Sequence, residues 1–294
     1  MKRLCLLCLL LLPTLNLAAQ QTISGTIQVN GLERTYLLHV PAGVSAAKPV
    51  PLMLALHGRN MTAKLLAYVT KFNVWSDKTG FIVVYPQGIN QMWDTGRAPA
   101  IDDVRFMQEL LAKLENTYSI DVGRVTVVGF SNGAEFAQEL ACSDDFHFNA
   151  VVAQSATLQT DAAKRCAPKH TVRFVELHGT VDPIVPYEGG HIPLPGSSTV
   201  ISVADDLKLW QQINHCASDA KTDRMPDNGD DGTHIERVTF HGCAAGGSVT
   251  HYRMVGAGHV WPGYLETPKE LGKTTMQMDA SQYVTRIVSG EIEP

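Results

Sequence analysis

The chain has 294 residues, 45% hydrophobic and 18% charged, with a formal net charge of −5 at pH 7. That length and apolar share suffice to bury one large core. No basic run is present, which argues against a nucleic-acid partner, because phosphate recognition needs clustered Lys and Arg.

At the N-terminus, Lys2 and Arg3 precede the apolar run 4–12, Pro13 breaks it, and Ala18 and Ala19 lead into Gln20. This is the layout of a secretory signal peptide, residues 1–19, cleaved after Ala19. The run is too short to span a bilayer, which takes ~20 residues. Residues 20–294 are then expected to form a single secreted or periplasmic domain, with no membrane attachment after cleavage. Cys5 and Cys8 leave with the signal. Cys142, Cys166, Cys216 and Cys243 remain, and export makes disulfides the expected state. Four cysteines allow three pairings; sequence proximity favours Cys142–Cys166 and Cys216–Cys243. No C-x-x-C pair suggests a metal site.

"TISGTIQV" and "RTYLLHV" read as two strands joined in a hairpin at Asn30-Gly31. "PLMLALHG" is a continuous apolar run, the pattern of a strand buried on both faces. "FIVVYP" and "RVTVVGF" are of the same kind, with Trp93 on the loop after the first. Between them, Val104, Met107, Leu111, Leu114 and Tyr118 recur at helical spacing, predicting a helix over 103–118 with Asp102 and Asp103 at its start to cap free N–H groups. Further helices are expected over 132–141, 199–215 and 274–289, and further strands at "AVVAQSA", "VRFVELHG" and "SVTHYRMV". The polar stretch 217–233 contains "DNGDDG". It resembles the start of a calcium loop, but Gly229 and Val238 stand where ligands are needed, so a hairpin turn is expected. Strands alternating with helices predict an α/β fold, a mostly parallel central sheet with helices on both faces.

Gly129-Phe130-Ser131-Asn132-Gly133 is G-x-S-x-G, directly after a buried strand and directly before a helix. A sharp strand-to-helix turn holds the serine clear at the carboxyl end of the sheet, where open α/β sheets place their ligands. The bland reading is a serine that caps the helix. The N–H of Asn132, at the helix start, is placed to receive an oxyanion. A serine nucleophile needs a base and an orienting acid, in the chain order Ser, Asp, His. His259, in "GAGHVWPG" after the last strand, is the expected base, and Asp182, in the turn "GTVDPIVPY", the expected acid. His57 and His178 are expected to brace loops through backbone hydrogen bonds. The second oxyanion donor is expected from the loop after "LALHG": the N–H of Arg59, with Asn60 next. Trp93 and Trp261 are expected to offer apolar surface to a substrate, with ordinary packing as the competing role.

These residues together resemble the secreted carbohydrate esterase family 1, which includes feruloyl esterases, acetylxylan esterases and short polyhydroxybutyrate depolymerases. The resemblance rests on "LHGRN", "VVYPQG" with Trp93, "IDDVRFM", "YSIDVGRVTVVGFSNGAEFAQELAC", "LHGTVDPIVPYEGG" and "GAGHVWPG", and covers most of the chain. It implies an α/β-hydrolase fold, a triad of Ser131, Asp182 and His259, bridges between the cysteine pairs above, and no cofactor. The implied substrate is a feruloyl or acetyl ester, small or polysaccharide-linked as in xylan, with hydroxybutyrate oligomers as the alternative. A serine peptidase on this fold would usually carry a further gating domain, and a non-catalytic binding protein would be expected to lack a triad member. Two positions depart from the family: Ala134 replaces a common second glycine, and Arg59-Asn60 replaces the usual Gly- or Cys-containing oxyanion loop. The departures leave the triad in place and bear on the shape of the acyl pocket.

Overall fold

The Asn30-Gly31 pair folds as its composition demands. Strands β1 (Gln21–Val29) and β2 (Leu32–Val40) pair antiparallel with Val29 opposite Leu32, and the two loop residues take φ of 51° and 80°, the left-handed values of a two-residue hairpin turn. The computed structural model describes residues 20–94 and 101–292; the expected signal segment 1–19 lies outside them. The chain continues through β3 (Val50–Leu56), α1 (Ala63–Thr70), α2 (Phe72–Thr79), β4 (Ile82–Pro86), α3 (Asp103–Thr117), β5 (Ile120–Phe130), α4 (Asn132–Ala141), β6 (Ala150–Gln154), α5 (Thr160–Arg165) and β7 (Arg173–Gly179). A short ribbon, β8 (Gly190–His191) and β9 (Thr199–Val200), precedes α6 (Val203–Ile213). Strands β10 (Ala220–Arg224), β11 (His234–Phe240) and β12 (Ser248–Val255) follow, then α7 (Ala280–Ser289).

Ten strands form one sheet in the order β1-β2-β4-β3-β5-β6-β7-β12-β11-β10. The strands from β4 to β12 in that order run parallel, and antiparallel strands flank both edges. The period of two along each central strand feeds two cores. Leu52, Leu54 and Leu56 pack with Phe106, Phe136 and Trp210 from α3, α4 and α6. Met53 and Ala55 pack on the other face with Phe72 and Val284 from α2 and α7. With both faces covered, the central strands carry the uninterrupted apolar runs seen in the sequence.

The sequence patterns misplace some details. The buried face of α3 is Asp103, Phe106, Met107, Leu110 and Leu114, whereas Val104 is exposed. Asp102 caps α3 as expected, accepting from Arg105 N–H at 2.9 Å. Asp103 instead is buried against the Arg34 guanidinium. The helices expected over 199–215 and 274–289 begin later, at Val203 and Ala280, because the Ser202 and Asp279 side chains cap them. Strands β10 and β11 flank the turn expected within 217–233 and were not expected themselves, since their residues are mostly polar and only partly buried or exposed. Both favoured disulfides form: Cys142–Cys166 joins the ends of α4 and α5, and Cys216–Cys243 joins the segments after α6 and β11.

Candidate active site

Ser131 stands between β5 and α4 with φ 54° and ψ −125°. That backbone costs an L-residue of order 1–3 kcal/mol and persists only where its surroundings hold it. The flanking glycines are the reason it can. A Cβ on Gly129 would lie 2.2 Å from the carbonyl oxygen of Gly133, and one on Gly133 would lie 2.3 Å from that of Leu56. The serine side chain makes no capping hydrogen bond to α4, so the capping role is not the one it fills.

The turn after β7 and the loop after β12 meet beside this elbow. Val181 N–H donates to Ala257 O at 3.1 Å and Thr180 N–H to Met254 O at 3.0 Å. The close approach needs Gly179, whose Cβ would lie 2.3 Å from Ala257 O. Asp182 is held by two N–H groups on one oxygen, Ile184 at 2.8 Å and Val185 at 2.9 Å. Its other oxygen accepts from His259 Nδ1 at 2.8 Å. With Nδ1 donating in that bond, the lone pair of the imidazole lies on Nε2. The ring of Phe130, the residue before Ser131, lies 5.1 Å from the His259 ring, centroid to centroid.

Gln154, which no sequence pattern singles out, and His178 tie these loops together. Gln154, at the end of β6, accepts the Ser131 N–H on its carbonyl at 2.8 Å, and its side-chain amide donates to Val260 O at 2.8 Å. One residue thus links the elbow to the histidine loop. His178 braces its loop as expected, Nε2 donating to Val185 O at 3.0 Å, but the same nitrogen also lies 3.5 Å from Asp182 Oδ2. Its Nδ1 faces Glu176 Oε1 at 3.3 Å. Burial lowers the pKa of His178, against the opposing pull of Asp182, and pushes the Glu176 carboxyl well above the ordinary carboxylate range. Only the strand position of these residues signalled a role. Which strand neighbours which is not written in the local sequence.

On the other side of Ser131, the first N–H of α4, Asn132, faces out of the helix start. The Asn60 N–H is taken by Gln91 O at 2.9 Å. The Arg59 N–H has no hydrogen-bond partner among the described residues, so of the two it is the available donor. His57 holds this loop: Nδ1 donates to Gly58 O at 2.8 Å, and Nε2 accepts from Gly88 N–H at 2.9 Å. Burial lowers the His57 pKa from 6.5 to about 4, although the bond to Gly58 raises it. Above pH 6.5 the imidazole is neutral whether the chain is folded or unfolded. As pH falls towards 4 the unfolded chain takes up the proton first, so stability is lost across that window, by roughly 3 kcal/mol at pH 4. The variant His57→Gln should therefore lose about 3 kcal/mol less than wild type between pH 7 and pH 4 in urea unfolding. Equal losses in the two proteins would contradict this role.

Trp93 does not match its expected contact with substrate. It is 1% exposed, stacks on Phe136, and donates from Nε1 to His57 O at 2.8 Å. It serves the site indirectly, because its N–H donates to Asn132 Oδ1 at 2.7 Å. Trp261 is also buried, donating to Ser281 Oγ at 2.9 Å, yet one edge lines an apolar groove of about 330 Å³ that includes His259, Phe130, Leu65 and Tyr264. Ser131, Asn132 and Arg59 line a separate pocket of about 20 Å³. Among the described residues no group of three or more His, Cys, Asp or Glu is arranged to hold a metal ion, and no helix is long and apolar enough to cross a membrane.

A family model described as Esterase PHB depolymerase matches residues 34–184. The protein NocK of Nocardia uniformis subsp. tsuyamanensis is 24% identical over 286 residues, spanning 92% of this chain and 83% of its own. Feruloyl esterase C of Emericella nidulans is 27% identical over 172 residues, spanning 57% of this chain and 61% of its own. Among solved structures, an acetyl xylan esterase from Aspergillus awamori aligns with a TM-score of 0.60 at 16% identity, over 81% of this chain and 94% of that one, a likeness of fold.

Proposed function

Because the chain belongs to the esterase PHB depolymerase family and has the α/β-hydrolase fold, we propose that it is an exported serine esterase that releases acetyl or feruloyl groups from plant cell-wall polysaccharide such as xylan. The observation that carries the reading is the 2.8 Å bond from His259 to Asp182, beside a serine on a strained strand-to-helix turn. Ser131 Oγ attacks the ester carbonyl while His259 Nε2 takes its proton. Asp182 keeps the imidazole in the productive tautomer and stabilises the cation that forms. The N–H groups of Asn132 and Arg59 receive the oxyanion, a contribution of roughly 3 kcal/mol per donor. His259 then gives the proton to the departing alcohol. Water attacks the acyl-enzyme by the same route and restores Ser131.

The apolar groove beside His259 supports an ester whose alcohol or acyl part is large. The likeness to feruloyl esterase C and to the acetyl xylan esterase supports the polysaccharide setting. The two disulfides support export, since such bridges persist in oxidising compartments. The description of the matched family favours one second reading, hydrolysis of 3-hydroxybutyrate oligomers. Parallel assays on acetylated xylan, methyl ferulate and 3-hydroxybutyrate oligomers discriminate among these. The expected result is turnover of the xylan or ferulate ester at a kcat/KM above that of the oligomers. Exclusive turnover of the oligomers would transfer the assignment to the second reading.

A further inference from the structure

Arg59, on the loop after β3, has a side chain that reaches across the small pocket. Its guanidinium donates to Ser197 Oγ at 3.0 Å and to Pro195 O at 2.9 Å. Those two acceptors belong to the turn at the tip of the β8–β9 ribbon. The turn is closed by Ile192 N–H to Ser198 O at 3.1 Å and by Ser197 N–H to Leu194 O at 3.1 Å. Ile192, Leu194 and Ser197 from this turn, with Ile184 and Val185 from the turn that carries Asp182, wall the pocket beside Ser131. The planar guanidinium presents its donors in fixed directions, so it holds the two acceptors in one geometry at a smaller entropy cost than a freely rotating ammonium.

From this arrangement we propose that the Arg59 side chain is a latch: it holds the 192–198 turn down on the pocket and so limits the acyl group to about the size of acetyl. The inference rests on the esterase reading above. The leaving oxygen must face His259, which protonates it, so the alcohol occupies the groove of about 330 Å³ on that side. The acyl substituent is left with the side that holds the oxyanion donors, where the volume is about 20 Å³. A space of ~10–15 Å³ on this measure admits one water-sized group. A methyl fits beside Ser131, whereas a four-carbon chain or a cinnamoyl ring does not. The site is therefore built for acetyl esters of bulky, partly apolar alcohols, with Arg59 setting the acyl limit.

The test is an acyl-length series with a constant alcohol: p-nitrophenyl acetate, butyrate and hexanoate. For wild type, kcat/KM is expected to fall at least about tenfold from acetate to butyrate, and further to hexanoate. The variant Arg59→Met removes the guanidinium and keeps the backbone N–H. It should raise the butyrate-to-acetate ratio about fivefold or more. Leu194→Ala opens the same wall without touching Arg59 and should move the ratio the same way, so a misfolded Arg59→Met does not leave the question open. A wild type with a flat profile, or folded variants with an unchanged ratio, would overturn the latch. Fluorophosphonate labelling of Ser131 on the same preparations separates the two readings. An unlabelled serine refutes the esterase reading, while a labelled serine with a flat profile refutes only the latch.

Discussion

Replacing Ser131 by alanine is expected to lower kcat for ester hydrolysis by about 10⁶-fold, the scale seen when a triad nucleophile is removed. The loss should be purely chemical. The Ser131 side chain makes no capping bond to α4, and alanine meets the same backbone constraint at φ 54° as serine does. Unfolding free energy should therefore change by no more than about 0.5 kcal/mol. Residual activity should persist above the uncatalysed rate, because the N–H groups proposed to receive the oxyanion and the groove beside His259 remain. The measurement is single-turnover and steady-state kinetics on p-nitrophenyl acetate, with a thermal melt of the same preparation. A variant that keeps more than about one hundredth of wild-type kcat would remove Ser131 from the mechanism.

The second large effect is expected from Asp182→Asn, a loss of about 10⁴-fold in kcat with little change in fold. The two carboxylate oxygens of Asp182 have different partners. One accepts from Ile184 and Val185 N–H at 2.8 and 2.9 Å. An asparagine must keep its carbonyl there, because its NH₂ would face two donors. The NH₂ is then turned to His259 Nδ1, where the carboxylate accepts at 2.8 Å. Two donors cannot share that position, so the imidazole shifts its hydrogen to Nε2 and has no lone pair left for the Ser131 proton. His178 Nε2–H, 3.5 Å from the same oxygen, adds to the conflict. Expected is a fall in kcat with KM within a few-fold of wild type. Activity above about one hundredth of wild type would show that His259 takes its orientation from elsewhere.

Some features were legible because their causes are short-range. The elbow needs a glycine just before the serine because the Gly133 carbonyl, in the first turn of the helix that follows, would collide with a Cβ on Gly129. The hairpin at Asn30-Gly31 needs two positive-φ residues in succession. The placement of Asp182 and His259 after strand ends was readable from the apolar runs that precede them. Other features were not. Trp93 reads as a loop aromatic, and nothing near it announces that Phe136 of α4 will stack on it. The face of α3 was misread because apolar residues lie on more than one side of the helix, and only the sheet decides which side is buried. Strands β10 and β11 are too polar to stand out and owe their existence to the free edge that β12 offers them.

By itself the sequence determined the alternation of strands and helices and the serine turn, and it favoured the nearest-neighbour cysteine pairing and the two loops that bring Asp182 and His259 together. These follow from periodicity, backbone sterics and loop position, which act over a few residues. The tertiary structure decided the order of the strands, the bridging role of Gln154, the choice of Arg59 over Asn60 as the available N–H, and the reach of the Arg59 side chain to Pro195 and Ser197. Each of those depends on which strand ends lie side by side. That order is set by the packing of the whole sheet against its helices, a condition that no short stretch of the chain contains.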